Sequence, residues 1–132
     1  MNELRRVMCV EDDPDLRMLL ELSLSGVGGY EVCLCPGGRS ALLQAPVFKP
    51  DIVLMDVMMP DLTGPETLKA LKQQPDMKGV PVVFMTAKAM PHEVEDLLQY
   101  GATGVIVKPF NMATLAQDIR IYWEHGRDIV AD

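Results

Sequence analysis

Five short apolar segments recur along the chain, at residues 7–10, 30–35, 52–55, 82–85 and 105–107, with amphipathic stretches between them. Most are continuously apolar and rich in Val and Ile, with no alternation of polar positions. Strands buried on both faces read this way, and such strands belong to parallel sheets. The stretches between them carry helical spacing. Leu16, Leu19, Leu20, Ser23 and Leu24 form an i, i+3, i+4 stripe that Pro14 opens and Gly28-Gly29 stops. Leu68 and Leu71 follow Gly64-Pro65 and stop before Pro75. Val94, Leu97 and Leu98 follow Met90-Pro91 and stop at Gly101. Leu115, Ala116, Ile119, Tyr122 and Trp123 form the last stripe, with Asn111 as its N-cap. A second helix around residues 40–44 has the weakest pattern. Most of the 10 prolines fall at element boundaries or in first turns, where a missing N–H costs nothing. Strand then helix, five times over, predicts a doubly wound parallel α/β sheet with helices on both faces.

With 132 residues the chain is one domain, and no repeat or low-complexity tract divides it. Hydrophobic residues make up 48% and charged residues 23%, a globular composition. The net charge of -7 argues against a general nucleic-acid or anionic-membrane binder. No apolar run approaches the ~18 residues of a membrane span. Only four apolar residues follow Arg5 and Arg6, too few for a secretory leader. Cys9, Cys33 and Cys35 are too few, and odd in number, for a disulfide framework, so a cytoplasmic location with reduced thiols is expected. The many methionines are expected as core filler.

In open α/β sheets ligands bind beyond the carboxyl ends of the strands. Here the first strand runs into Glu11, Asp12 and Asp13, the third into Asp56, the fourth into Thr86 and the fifth into Lys108. Clustered carboxylates repel one another unless a cation is present, and Mg²⁺ takes oxygen ligands of this kind. Metal and lysine can neutralise phosphoryl oxygens, threonine can hydrogen-bond them, and one carboxylate can act as nucleophile. Each residue alone has a plainer reading: Asp13 as a helix N-cap or turn residue, Lys108 as a surface lysine. Their joint occurrence at four strand ends carries the inference. No Ser-His or Cys-His pair is positioned for acyl transfer, and His92 and His125 read as surface residues.

The motifs Val10-Glu11-Asp12-Asp13, Leu54-Met55-Asp56-Val57-Met58-Met59-Pro60 with Gly64 beyond, Val83-Phe84-Met85-Thr86-Ala87, and Gly101-Ala102-Thr103-Gly104 leading to Lys108-Pro109-Phe110 occur in that order. In this the chain resembles a response-regulator receiver domain of two-component signalling, the CheY-like family, from about Arg6 to Trp123. The resemblance implies a flavodoxin-like fold with strand order 2-1-3-4-5, residues 1–126 as the receiver domain and residues 127–132 as a tail or the start of a linker. It implies Asp56 as phosphoacceptor, and Mg²⁺ held directly by Asp13, Asp56 and the Met58 backbone carbonyl, with Asp12 acting through water. Lys108 would pair with the phosphoryl group, Thr86 would hydrogen-bond it, and the Lys108–Pro109 bond would be cis. Such a domain is a regulatory phosphoacceptor that catalyses only its own phosphorylation and dephosphorylation. Its partners would be a histidine kinase or histidine phosphotransfer protein, docked around the first helix and the loop after the fifth strand. Its output would leave through the fourth helix, fifth strand and fifth helix, with Glu93, Asp96, Tyr100 and Ile121 as exposed candidates, to a partner protein or output domain. The resemblance implies neither direct nucleic-acid contact nor membrane insertion.

The chain departs from the family pattern in two places. Val105 stands three residues before the lysine, where the family has Tyr or Phe. Thr63 precedes Gly64, where Asp is common. Met58 and Lys88 occupy the positions that tune acyl-phosphate lifetime. Val105 keeps open a pseudo-receiver that binds partners without taking phosphate. Asp13-Pro14-Asp15 also matches the opening of a haloacid-dehalogenase-like phosphatase, but no second acidic pair follows Lys108 and there is little room for a cap domain.

Overall fold

A computed structural model of the chain describes residues 3–131, with side chains to residue 126. Strand β1 (Arg6–Val10) is flanked by β2 (Glu31–Cys35) and β3 (Ile52–Asp56), and β4 (Val82–Thr86) and β5 (Gly104–Val107) complete the sheet. All pairs are parallel and the order is β2-β1-β3-β4-β5, as the resemblance implies. The three inner strands are almost wholly buried, which is why their sequences are unbroken apolar runs, while β2 and β5 at the edges are partly exposed.

Alternate side chains sort the core into two layers. Met8, Val10, Val53, Met55 and Phe84 pack with Ala41, Leu68, Leu71 and Leu97. These last four come from α2 (Gly38–Phe48), α3 (Gly64–Leu71) and α4 (Pro91–Gln99). Val7, Cys9, Ile52, Leu54, Val83 and Met85 pack on the other face with Leu20, Leu115, Ile119 and Trp123. These come from α1 (Pro14–Glu21) and α5 (Leu115–Ala131). Helix α5 continues through residues 127–131, in the stretch expected as a tail or the start of a linker; position 132 lies outside the described residues. Met8, Met55, Met59, Met77 and Met85 do fill the core, but Met18, Met58 and Met90 are exposed.

Helix α1 loosens into a π-helical segment over Leu22–Val27, where the Gly28 N–H donates to the Ser23 carbonyl five residues back. Gly29 leaves it with φ +75, a conformation that favours glycine. Helix α2 is longer than residues 40–44 and contains Pro46 within its last turn. A proline there leaves the Leu42 carbonyl without its i+4 donor. Gln74 Nε2 supplies the missing hydrogen bond at 3.0 Å, so the helix continues. A short 3-10 turn, Pro75–Met77, follows α3. Lys72 Nζ folds back onto the carbonyls of Met77, Lys78 and Val80 and closes that loop.

Candidate functional site

The carboxyl ends of β1, β3, β4 and β5 converge on one cleft. Beyond β1, the Glu11 side chain is only 1% exposed, and its backbone N–H donates to the Cys35 carbonyl. Its carboxylate is held on both sides: Oε1 accepts from Lys108 Nζ at 2.8 Å, and Oε2 accepts from the Asp13 N–H at 3.0 Å. Lys108 Nζ also lies 3.1 Å from Asp56 Oδ1 at the end of β3. Burial works against the Lys108 ammonium, but its bonds to Glu11 and Asp56 outweigh that and hold its pKa above the usual lysine value. Burial, helped by the Asp56 charge, pushes the Glu11 carboxyl up against the pull of Lys108 and the Asp13 amide. Two carboxylates therefore share one cation, and the cleft keeps an excess of negative charge.

Asp12 is exposed and brings a third carboxylate. Oxygens of Glu11, Asp12 and Asp56 all lie within 4.8 Å of one another. Three hard anionic donors at this spacing fit Mg²⁺ or another small oxygen-seeking cation. The group differs by one residue from the sequence expectation. Asp13, expected as a direct metal ligand beside Asp56, is not in it. Its Oδ1 accepts from the Asp15 N–H at 2.9 Å and the Leu16 N–H at 3.5 Å, so it is the N-cap of α1. Pro14 at the first helical position makes the preceding residue the cap. The carboxylates that face Asp56 are therefore those of Glu11 and Asp12. Glu11 was legible as a strand-end acid but not as the lysine's partner. The sequence Asp13-Pro14 is the signal for that cap.

Thr86 ends β4 at the mouth of the cleft and is 8% exposed. Its Oγ1 accepts from the Lys88 N–H at 3.0 Å and donates to the Lys88 carbonyl at 3.2 Å, which folds the β4–α4 connection onto the hydroxyl. The Lys108 N–H donates to the Thr86 carbonyl at 2.8 Å, tying the two strand ends together, and the Lys108–Pro109 bond is cis. Gly64 packs under the end of β3: a Cβ there would lie 2.7 Å from the Asp56 carbonyl oxygen. A cleft of about 450 Å³ opens beside Asp56, Met58, Thr86, Lys88, Glu93 and Lys108. Met58 has a largely exposed side chain. Val105 is partly buried and packs into the α2–α4 layer of the core.

Two residues that belong to none of the strand-end motifs, Arg17 and Asp61, shape the loops. Arg17 Nη1 donates to the Glu11 carbonyl at 2.8 Å and the Asp12 carbonyl at 2.9 Å. Asp61 accepts from the N–H groups of Gly38, Arg39 and Leu62, pinning the loop after β3 to the start of α2. On the expected output face, Asp96, Tyr100 and Ile121 are exposed and Glu93 is half-buried. No helix among the described residues is long and apolar enough to cross a membrane.

Known proteins share this arrangement. The family model for the response regulator receiver domain matches residues 7–120. The polar-differentiation response regulator DivK of Brucella anthropi is 35% identical over 118 residues, covering 89% of this chain and 95% of the relative. The solved structure of the Vibrio cholerae chemotaxis protein CheY4 superposes with a TM-score of 0.84 at 33% identity, covering 91% of this chain and 99% of that one. The receiver domain of the sensor histidine kinase PA1611 of Pseudomonas aeruginosa, with a magnesium ion coordinated in its active-site cleft, matches at 29% identity and a TM-score of 0.81, covering 92% and 99%. By sequence, by fold and by the grouping of its strand-end residues, the chain belongs to the response-regulator receiver family of two-component signalling, whose members are regulatory domains and not conventional enzymes.

Proposed function

We propose that the chain is a phosphorylation-dependent switch that takes a phosphoryl group on Asp56. The observation that carries this reading is the Lys108 ammonium bonded to both Glu11 and Asp56 at the carboxyl end of the sheet. A carboxylate oxygen of Asp56 forms the new O–P bond as the P–N bond of a phosphohistidine donor breaks, and the released imidazole takes up a proton from solvent. Glu11, Asp12 and Asp56, with the Met58 backbone carbonyl, are the residues that would hold Mg²⁺. When bound, Mg²⁺ supplies charge neutralisation to the carboxylates and to the phosphoryl oxygens. Lys108 stays protonated and turns its charge from Asp56 to the phosphoryl oxygens.

Phosphorylation brings close to two negative charges into the cleft. The Thr86 hydroxyl then exchanges its bonds to Lys88 for one to a phosphoryl oxygen, which frees the β4–α4 connection. Val105 offers no aromatic rotamer to follow, so the loop and α4 themselves carry the change. A two-state bias of this kind is typically worth ~1–3 kcal/mol, or roughly 5–150-fold in partner affinity. The donor in this reading is a histidine kinase or phosphotransfer protein in the cytoplasm, and the output leaves through α4, β5 and α5. Incubation with Mg²⁺ and phosphoramidate should add the mass of one phosphoryl group to the wild type and none to Asp56→Asn. No gain in the wild type, under conditions where a control receiver reacts, would leave a pseudo-receiver as the better account.

A further inference from the structure

We propose that Arg17 is a positioning residue for the divalent-cation site: its guanidinium, bonded to the carbonyls of Glu11 and Asp12, sets the backbone that aims their carboxylates at Asp56. This rests on the reading of Glu11, Asp12 and Asp56 as a cation site. The two acids reach the group by different means. The Glu11 carboxylate is locked by Lys108 on one oxygen and the Asp13 amide on the other. The Asp12 carboxylate is exposed and accepts no hydrogen bond from the described residues, so nothing but its own backbone determines where it points. That backbone is the peptide Arg17 grips.

The grip is geometrically demanding. One nitrogen, Nη1, bonds two successive carbonyls at 2.8 and 2.9 Å, which requires both to turn to the same side of the loop. The Arg17 backbone is pinned in turn, because its N–H donates to the Asp13 carbonyl as α1 begins. The cap residue, the helix start and the acidic loop thus form one closed unit. Residues 11–15 carry four acids, and within this loop and first turn Arg17 is the positive side chain. Its charge alone would oppose a bound cation by Coulomb repulsion, so charge and positioning predict opposite signs on removal.

Two substitutions separate these effects. Arg17→Lys keeps the charge but ends one bond short of the Nη1 that reaches both carbonyls, and Arg17→Gln removes the charge while keeping a donor. The test is a calorimetric Mg²⁺ titration of each variant and the wild type, with thermal unfolding in the absence of Mg²⁺ as a second readout. If Arg17 positions the site, both variants bind Mg²⁺ about tenfold more weakly, the range found for residues that orient metal ligands. Their metal-free melting temperatures stay close to the wild type. Unchanged binding in Arg17→Lys, or tighter binding in Arg17→Gln, would mean that only charge matters and overturns the proposal. So would loss of the fold in both variants, which would make Arg17 a scaffold residue. A wild type that binds no Mg²⁺ overturns the cation-site reading itself, and the proposal with it.

Discussion

The Lys108 ammonium lies 2.8 Å from Glu11 Oε1 and 3.1 Å from Asp56 Oδ1, so one lysine holds together the ends of three strands. Glu11 is 1% exposed, and without Lys108 its carboxylate would keep only the Asp13 amide. Lys108→Met should therefore destabilise the metal-free protein by about 2–4 kcal/mol, somewhat below a fully enclosed pair because the lysine retains some solvent contact. The lysine's pKa is raised in the fold, so its contribution is complete below the ordinary lysine value of 10.5 and is lost only as pH rises through the folded value. Denaturant titrations at several pH values check both points. The gap between wild type and variant should be constant near neutrality, close in strong base as Lys108 loses its proton, and narrow in acid as Glu11, whose carboxyl burial pushes up, becomes neutral.

Asp12 and Asp13 are adjacent in sequence, but Asp12 groups with Glu11 and Asp56 while Asp13 caps α1. Asp12→Asn should weaken Mg²⁺ binding about tenfold or more by removing a charged hard ligand. Asp13→Asn should leave Mg²⁺ affinity near the wild-type value, because Asn caps a helix as well as Asp does. Asp13→Ala should lower stability by about 1 kcal/mol through loss of the cap. Calorimetric Mg²⁺ titration with thermal unfolding of the same samples tests all three. Loss of Mg²⁺ binding in Asp13→Asn would return Asp13 to the ligand set.

Asp61 should make the fold sensitive to acid. The Arg39 N–H, followed by those of Leu62 and Gly38, holds its carboxyl below the usual aspartate value. A depressed carboxyl contributes stability above its unfolded value, and that contribution disappears as pH falls through the folded value. Because Asp61 is solvent-accessible, the effect at neutral pH is about 0.5–1 kcal/mol. Asp61→Asn should lose this much at pH 7 and match the wild type in acid, as read from urea midpoints across that range.

Pro46 and Gln74 should prove energetically coupled. Gln74 bonds the Leu42 carbonyl that Pro46 leaves bare. Pro46→Ala restores a backbone donor to that carbonyl and makes the Gln74 bond redundant. In a double-mutant cycle with Gln74→Leu, loss of the Gln74 amide should cost about 1 kcal/mol less in the Pro46→Ala background than in the wild type. Strict additivity would show that the Gln74 bond does not compensate for the proline.

Much of this architecture could be read along the chain because the signals are local. The inner strands are apolar on both faces, so they stand out without any knowledge of their neighbours. Pro14, Pro65 and Pro91 open helices as first-turn prolines do. Helix α2 was harder to delimit because Pro46 falls inside it, and the donor that makes this tolerable lies 32 positions from Leu42. Arg17 and Asp61 carried no motif; each acts on backbone groups of a loop, which side-chain identity does not reveal.

The sequence by itself determined the β-α alternation, the acidic, hydroxyl and basic residues at the strand ends, and thereby the family and the place of its chemistry. Tertiary structure decided which carboxylates share the cleft. The direction of a side chain depends on where the strand stops and the helix begins, and a shift of one residue reverses it. Asp13 is spent on the N-terminus of α1, whereas Glu11 is drawn inward by a lysine 97 positions away, a pairing that exists only once β1, β3 and β5 lie in one sheet.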